Sequence, residues 1–313
     1  MQVKELTKKY DGKAVVDSVS FQIPKGKVIS LIGPNGAGKS TVMGILSRLI
    51  ARDSGLVDFD GTDISRWKSR ELSKRLAILT QTNNIQMKLT VRELVAFGRF
   101  PYSGGRLTPE DHQKVDQAIQ YMELEEFQDR FLDELSGGQR QRVMIAMAIA
   151  CGPKLVIADE PTTALDVTIQ AQILDLLGEL KEKLNTAVVM ITHDLGVIAG
   201  MCQRVVVMYA GKVVEEGTVR ELFYEPRHPY TWGLLRSIPG AAGAHAKLVP
   251  IPGTPPDLIA PPPGCPFAPR CPYAMNICMS GMPGRTALSE THGVCCYLND
   301  EGAPDVEWGG AKG

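Results

Sequence analysis

Three stretches of the chain hold residues suited to phosphate chemistry at the spacings that chemistry requires. Gly33-Pro34-Asn35-Gly36-Ala37-Gly38-Lys39-Ser40 fits the pattern GxxxxGK[ST] and stands directly after the apolar run Val28 to Ile32. Glycines let consecutive backbone N–H groups curl around a polyphosphate, and a helix beginning there adds its positive end. Lys39 would neutralise phosphate charge, and Ser40 would offer its hydroxyl to Mg2+. A second apolar run, Leu155 to Ala158, ends in the adjacent carboxylates Asp159 and Glu160. Neighbouring side chains of a strand leave on opposite sides, so Asp159 could approach a metal shell while Glu160 polarises an attacking water. The third stretch, Leu135-Ser136-Gly137-Gly138-Gln139, offers glycine amides at another helix start, again suited to an anion. A chain with two such helix starts could bind two nucleotides, or could share each nucleotide with a second copy.

These residues need strands that end, and helices that begin, beside them. Residues 1 to about 81 alternate short β-type runs with turn signals. The runs are Ala14 to Ile23, Val28 to Ile32, Leu56 to Phe59 and Leu76 to Leu79; the turns are Asp11-Gly12 and Asp60-Gly61. From about 82 to 150 the pattern becomes helical. Thr108 offers an N-cap, Pro109 a first helical position, and Val115, Ala118, Ile119 and Met122 one shared face. That region reads as an inserted helical subdomain. Strand and helix signals then alternate again through Leu155 to Ala158, Ala187 to Thr192 and Arg204 to Tyr209. Between the first two, Ile169, Ile173, Leu176, Leu177, Leu180 and Leu184 form a core-facing stripe. Continuous apolar strands alternating with helices predict an α/β fold with a mostly parallel, buried sheet.

Composition narrows the function classes. With 34 basic and 35 acidic residues, the net charge of -1 provides no field for holding a nucleic-acid backbone, so nucleic acid is not an expected partner. The longest apolar run, Val143 to Ala150, falls far short of the ~18 residues of a membrane span. Lys4, Glu5, Lys8 and Lys9 occupy the place of a signal peptide's apolar segment, which places the chain in the cytoplasm. After about residue 225 the character changes: Pro250 to Pro283 holds 11 of the 21 prolines, so regular structure cannot dominate there. Cys265, Cys271, Cys278, Cys295 and Cys296 crowd the same region, and in a reducing compartment such a group suggests a metal before disulfides. Cys151 and Cys202, flanked by apolar residues, read as small buried hydrophobes.

Taken together, the GxxxxGK[ST] loop, the Leu135 to Gln139 stretch and the Asp159-Glu160 pair resemble the nucleotide-binding subunits of ABC transporters, over about Val3 to Gly217. The fold so implied is a P-loop NTPase cassette of the α/β class, with an inserted helical subdomain and a Pro- and Cys-rich C-terminal extension. The resemblance implies an ATPase in which two cassettes pack head to tail, Leu135 to Gln139 of one closing over ATP held by the phosphate loop of the other. Residue by residue, Tyr10 matches the aromatic that stacks on adenine. Gly33, Asn35, Gly36, Gly38, Lys39, Ser40 and Thr41 match the phosphate-binding residues, and Ser136, Gly137, Gly138 and Gln139 match the residues that close over them. Ser40, Gln81 and Asp159 match the Mg2+ site, Glu160 the catalytic carboxylate and His193 the histidine that senses the γ-phosphate. Ala164-Leu165-Asp166 matches the loop that crosses the dimer. The implied partners are a second cassette, identical or paralogous, integral membrane permease subunits and, indirectly, an extracytoplasmic substrate-binding protein. The implied place is the cytoplasmic face of the membrane.

Two importer classes are visible along the chain. Residues 1 to about 140, including Ala96 to Ser103 and Gly105 to Glu110, resemble ATPases of ferric-siderophore importers. Residues from about Arg140 to 298, notably Ile157 to Gln172 and Glu225 to Tyr230, resemble those of oligopeptide and dipeptide importers. The least widely shared feature is the extension, so the expected cargo is peptide; a siderophore importer, or a hybrid lacking a working permease, is the alternative. The expected domains are a cassette over 1–225 with its helical subdomain at about 82–150, an extension over 226–298 and a disordered tail over 299–313. The peptide-importer likeness also implies a [4Fe–4S] cluster on Cys265, Cys271, Cys278 and Cys296, with Cys295 an adjacent extra thiol. Spacings of five and six residues are unlike the tight pairs of structural zinc sites, while zinc and free thiols stay open from the residues alone.

Overall fold

A computed structural model describes residues 1–80, 88–162, 165–237, 250–256 and 261–306. Gln81 and Ala164, both carrying sequence expectations, lie outside the described residues, as do residues 307–313 of the tail. The chain opens with β1 (Gln2–Tyr10), β2 (Lys13–Gln22), β3 (Val28–Ile32), α1 (Lys39–Leu46), β4 (Ser54–Phe59) and β5 (Thr62–Asp63). There follow α2 (Ser69–Ser73), β6 (Leu76–Leu79), α3 (Val91–Phe97), α4 (Phe100–Ser103), α5 (Pro109–Tyr121) and α6 (Gly137–Ile149). Next come β7 (Leu155–Asp159), α7 (Val167–Leu184), β8 (Ala187–Ile191), α8 (Leu195–Met201), β9 (Arg204–Tyr209) and β10 (Lys212–Thr218). The last elements are α9 (Val219–Tyr224), α10 (Pro229–Arg236), α11 (Asn276–Ser280), β11 (Thr286–Ala287) and β12 (Gly293–Val294). Two compact units interleave along the chain, one built mainly from 59–192 and the other from 2–22, 29–58 and 193 onward.

In the first unit β6, β7 and β8 run parallel, with Ile78 opposite Ile157 and Ile157 opposite Val189. Every residue of β8 and four of the five in β7 are buried, which explains their unbroken apolar sequences: both faces of a parallel sheet are covered. The helical part of this unit is set by its caps. Thr90 closes a capping box with Glu93 at the start of α3, and Thr108 closes one with Asp111 ahead of Pro109 at the start of α5. Val115, Ala118, Ile119 and Met122 are all buried, so the periodic face read from the sequence is the packed one. Of the α7 stripe, Ile173 and Leu177 are buried, while Ile169, Leu176 and Leu184 are only half-buried.

In the second unit β2, β1 and β4 form an antiparallel sheet. The β1–β2 hairpin turns at Asp11-Gly12, both with positive φ, a geometry that matches the twist of paired strands. β1 is a strand the sequence reading did not include. Its Lys and Glu residues are partly exposed, and bulges interrupt the alternation that would have marked it. β3 and β9 pair in parallel through Leu31 and Val206, β10 returns antiparallel to β9, and the short β12 and β11 continue from β10. The C-terminal extension is thus joined by backbone hydrogen bonds to the edge of this sheet. Its core is aromatic: the ring centroids of Tyr209 lie 4.7 Å from Tyr230 and 5.3 Å from Phe267. Arg270 donates to the Tyr209 hydroxyl at 3.1 Å and to the carbonyls of Ile251 and Pro252.

Candidate functional site

The phosphate loop belongs to the second unit, where β3 ends and α1 begins. Gly33 is needed for packing, because a Cβ there would collide with the Met208 carbonyl oxygen. Gly38 caps α1 with φ 89°, a left-handed conformation that leaves the helix amides facing the loop. Lys39 reaches back and donates to the carbonyls of Gly33 at 2.7 Å and Pro34 at 2.9 Å, so its ammonium is held over the loop. Asn35, Gly36 and Ser40 are exposed and Thr41 half-buried, which leaves the loop open to a polyphosphate. Tyr10, at the end of β1, has an exposed ring with the Lys8 ammonium 5.3 Å from its centroid. The exposed part of the ring could stack on an aromatic base. His193 is exposed in the same unit, just before Asp194 caps α8 by accepting from the amides of Gly196 and Val197.

The other predicted residues belong to the first unit. Asp159 is the last residue of β7 and is half-buried. Glu160 has already left the strand: its φ of 46° is left-handed, and its N–H donates to the Ile191 carbonyl at 3.0 Å. Strand alternation therefore stops at Asp159, and the turn at Glu160 decides where the second carboxylate goes. A non-glycine residue held there is strained by roughly 1–3 kcal/mol, as often found where backbone geometry serves a reaction. Ser136 is the N-cap of α6 and shares a capping box with Gln139, so the helix presents its first amides behind an exposed serine. Gly137 and Gly138 start the helix, and a Cβ on Gly138 would run into Ile169 of α7. Asp166 caps α7, accepting from the Ile169 amide at 2.9 Å.

The cysteines divide as expected between core and extension. Cys151 and Cys202 are buried, and burial pushes their thiols up to about 11 and about 12. Cys265 and Cys296 are buried, Cys271 and Cys278 half-buried. The Cys265 amide donates to the Cys278 carbonyl at 2.8 Å. Burial raises the Cys296 thiol to about 12, against a backbone hydrogen bond from Leu298 that lowers it. As placed, no three His, Cys, Asp or Glu side chains among the described residues converge closely enough to hold a metal ion.

Several residues that matter were invisible in the sequence. Glu215, with no exposed surface, accepts from the amides of Arg227 at 2.6 Å and His228 at 3.1 Å, and lies 2.8 Å from His292 Nε2. Arg99 and Asp111 form a buried ion pair at 2.8 Å in the helical part. Nothing in periodicity marks either pair, because charged residues in a sequence read as surface.

Comparison with known proteins bears on the same residues. A family profile described as ABC transporter matches residues 16–163, and one described as the C-terminal region of oligopeptide/dipeptide transporters matches residues 214–278. The oligopeptide transport ATP-binding protein OppD of Bacillus subtilis is 41% identical, over 98% of this chain and 91% of its own length. The petrobactin import ATP-binding protein YclP of the same organism is 46% identical, over 71% of this chain and 88% of its own length. Among solved structures, cbiO1 of Clostridium perfringens aligns with a TM-score of 0.65 at 31% identity, covering 71% of this chain and 89% of that one. A dimeric ATP-binding cassette bound to ADP and Pi aligns with a TM-score of 0.62 at 32% identity, covering 70% of this chain and 98% of that one. No helix among the described residues is long and apolar enough to cross a membrane. With a phosphate loop held open at the start of α1, a capped serine-glycine start to α6 and relatives matched along nearly its full length, the chain belongs to the ABC transporter family and is an ATP-binding, ATP-hydrolysing subunit.

Proposed function

We propose that this ATPase powers uptake of oligopeptides or dipeptides through a membrane permease, at the cytoplasmic face, with an extracytoplasmic binding protein delivering the cargo. The observation that carries this reading is the 41% identity to OppD across 98% of the chain, extension included. In the proposed cycle ATP lies between Lys39 of one copy and Ser136 of a second cassette. Ser40, Asp159 and Gln81 would hold Mg2+, which would supply positive charge against that developing on the transferred phosphoryl group. Glu160 polarises the attacking water and His193 touches the γ-phosphate; Tyr10 stacks on adenine and Asp166 crosses to the partner. Loss of the bridging phosphate charge opens the pair, and the 82–135 segment passes that motion to the permease. Residues 1–225 serve as the cassette, 226–298 as the extension and 299–313 as a tail. Glu160→Gln is expected to keep ATP affinity within about twofold while lowering turnover about 1000-fold and trapping a dimer. Rapid hydrolysis by that variant would remove Glu160 from the role.

Cargo is tested by isolating the whole chain from a membrane extract and identifying the permease that comes with it. A peptide permease supports the reading. A siderophore permease would instead favour the second reading, uptake of a ferric siderophore, which the 46% identity to YclP over the cassette supports. The extension's four cysteines are the proposed ligands of a [4Fe–4S] cluster, a reading that rests on the likeness of residues 214–278 to the C-terminal region of oligopeptide/dipeptide transporters. Their sulfurs would have to be drawn together, and protonated thiols would have to lose protons, so loading should strengthen as pH rises. Iron and acid-labile sulfide bound to the purified chain, lost in Cys271→Ser, is the expected result; bound zinc or no metal would overturn it.

A further inference from the structure

The segment Ala96 to Ser103, which the cassette chemistry leaves unused, contributes Arg99 to a deeply buried ion pair with Asp111. Arg99 and Asp111 are 5% and 3% exposed. Two guanidinium nitrogens and both carboxylate oxygens of the pair are engaged. Arg99 Nε donates to Asp111 Oδ1 at 2.8 Å and Nη1 donates to the Ala150 carbonyl at 3.1 Å. Asp111 Oδ2 accepts from the Thr108 amide and hydroxyl, at 3.0 and 2.8 Å. The Tyr102 ring covers the guanidinium at 4.0 Å. From α2, Arg70 donates to the carbonyls of Pro101 and Tyr102 at 2.7 and 2.8 Å. Gly98 permits this closeness, since a Cβ there would strike the Met147 carbonyl oxygen of α6.

Ala150 is the C-cap of α6, so one guanidinium satisfies an orphan carbonyl at the negative end of that helix while neutralising the carboxylate that caps α5. The other end of α6 begins with Ser136. We propose that Arg99 is a positioning residue for hydrolysis: it locks the far end of α6 to α4 and α5, so that Ser136 is delivered to the second copy's nucleotide by one rigid body. The inference rests on the reading that Ser136 closes over that nucleotide. A helix of 13 residues is about 20 Å long, so a tilt of about 10° at Ala150 carries Ser136 roughly 3 Å. A hydrogen bond tolerates only a few tenths of an ångström. A buried ion pair is weak support for stability, because apolar residues of the same volume often do as well; its geometric restraint is what apolar packing lacks. Lysine could not replace the fork, having a point charge where two diverging donors and a flat stacking face are used.

The test compares full-length chains carrying Arg99→Lys, Tyr102→Leu, Ser136→Ala and, as a packing control, Ile119→Val in the α5 core. ATP affinity is measured at low protein concentration and hydrolysis as a function of protein concentration. Arg99→Lys is expected to bind ATP within twofold of wild type but to need about tenfold more protein for half-maximal hydrolysis. Tyr102→Leu, which leaves no buried charge alone, should shift it about threefold in the same direction, and Ile119→Val should lower the melting temperature without shifting it. If Ser136→Ala is inactive while Arg99→Lys and Tyr102→Leu change only the melting temperature, the clamp is refuted and the Ser136 reading stands. If Ser136→Ala hydrolyses ATP like wild type, both fall together.

Discussion

Gly38 carries the phosphate loop into α1 at a φ of 89°, and a Cβ there would lie 2.7 Å from the Val15 carbonyl oxygen. Gly38→Ala should therefore combine left-handed strain of roughly 1–3 kcal/mol with a displaced loop. Titration with a fluorescent nucleotide is expected to show at least a tenfold loss of affinity; unchanged affinity would mean the loop tolerates the clash. His228 tests a different physical effect. Complete burial holds its imidazole down at about 4, against the pull of Glu215, and Nδ1 accepts from the Tyr230 amide at 3.0 Å, as a neutral ring must. Because the folded pKa lies below the unfolded value of about 6.5, the stabilisation is fully present above about pH 6.5 and is lost as pH falls from there toward about 4. His228→Asn keeps an N-cap oxygen and removes the titration. Urea midpoints measured at pH 7 and pH 5 should differ less in that variant than in wild type.

At the scale of elements, β10 and α9 are where the extension joins the second unit. Glu221 closes the α9 capping box with Thr218 and also accepts from the hydroxyls of Ser289 and Thr291, both at 2.8 Å. Partial burial is the largest single influence and raises its pKa, yet the Thr218 amide and the hydroxyls of Thr291, Thr218 and Ser289 together bring it down to about 2. A depressed carboxylate stabilises the fold above its unfolded value near 4.5, and that contribution disappears as pH falls from about 4.5 to about 2. Allowing for its partial exposure, the contribution is on the order of 2 kcal/mol. Thermal melts across that window should show Glu221→Gln already destabilised at pH 6 and nearly level with wild type at pH 2.5. Equal curves for the two proteins at pH 6 would discount the cap.

For the whole molecule, the extension is a structural part of the cassette it follows. Replacing His292 with Leu would take the ring from Glu215 while the chain around that carboxylate, which has no exposed surface, stays in place. Breaking a buried pair by removing one partner costs about 3–5 kcal/mol, so denaturant unfolding of His292→Leu should show a loss approaching that order, rescued in part by adding Glu215→Gln. The sequence by itself determined the features that depend on local spacing: the phosphate loop between a buried strand and a helix, the Ser136 start of α6, the Thr108 cap and the packed face of α5. These are legible because backbone amides at a helix start and a 3.6-residue period are properties of neighbouring residues. β1 escaped notice because bulges break its alternation, and β11 and β12 because two residues carry no period. Only the tertiary structure decided that Glu215 meets His292, 77 positions away, and that Arg99 meets Asp111 and the Ala150 carbonyl. In a sequence a charge looks like surface; whether it is buried, and which distant partner makes that burial tolerable, depends on contacts that the folded chain alone creates.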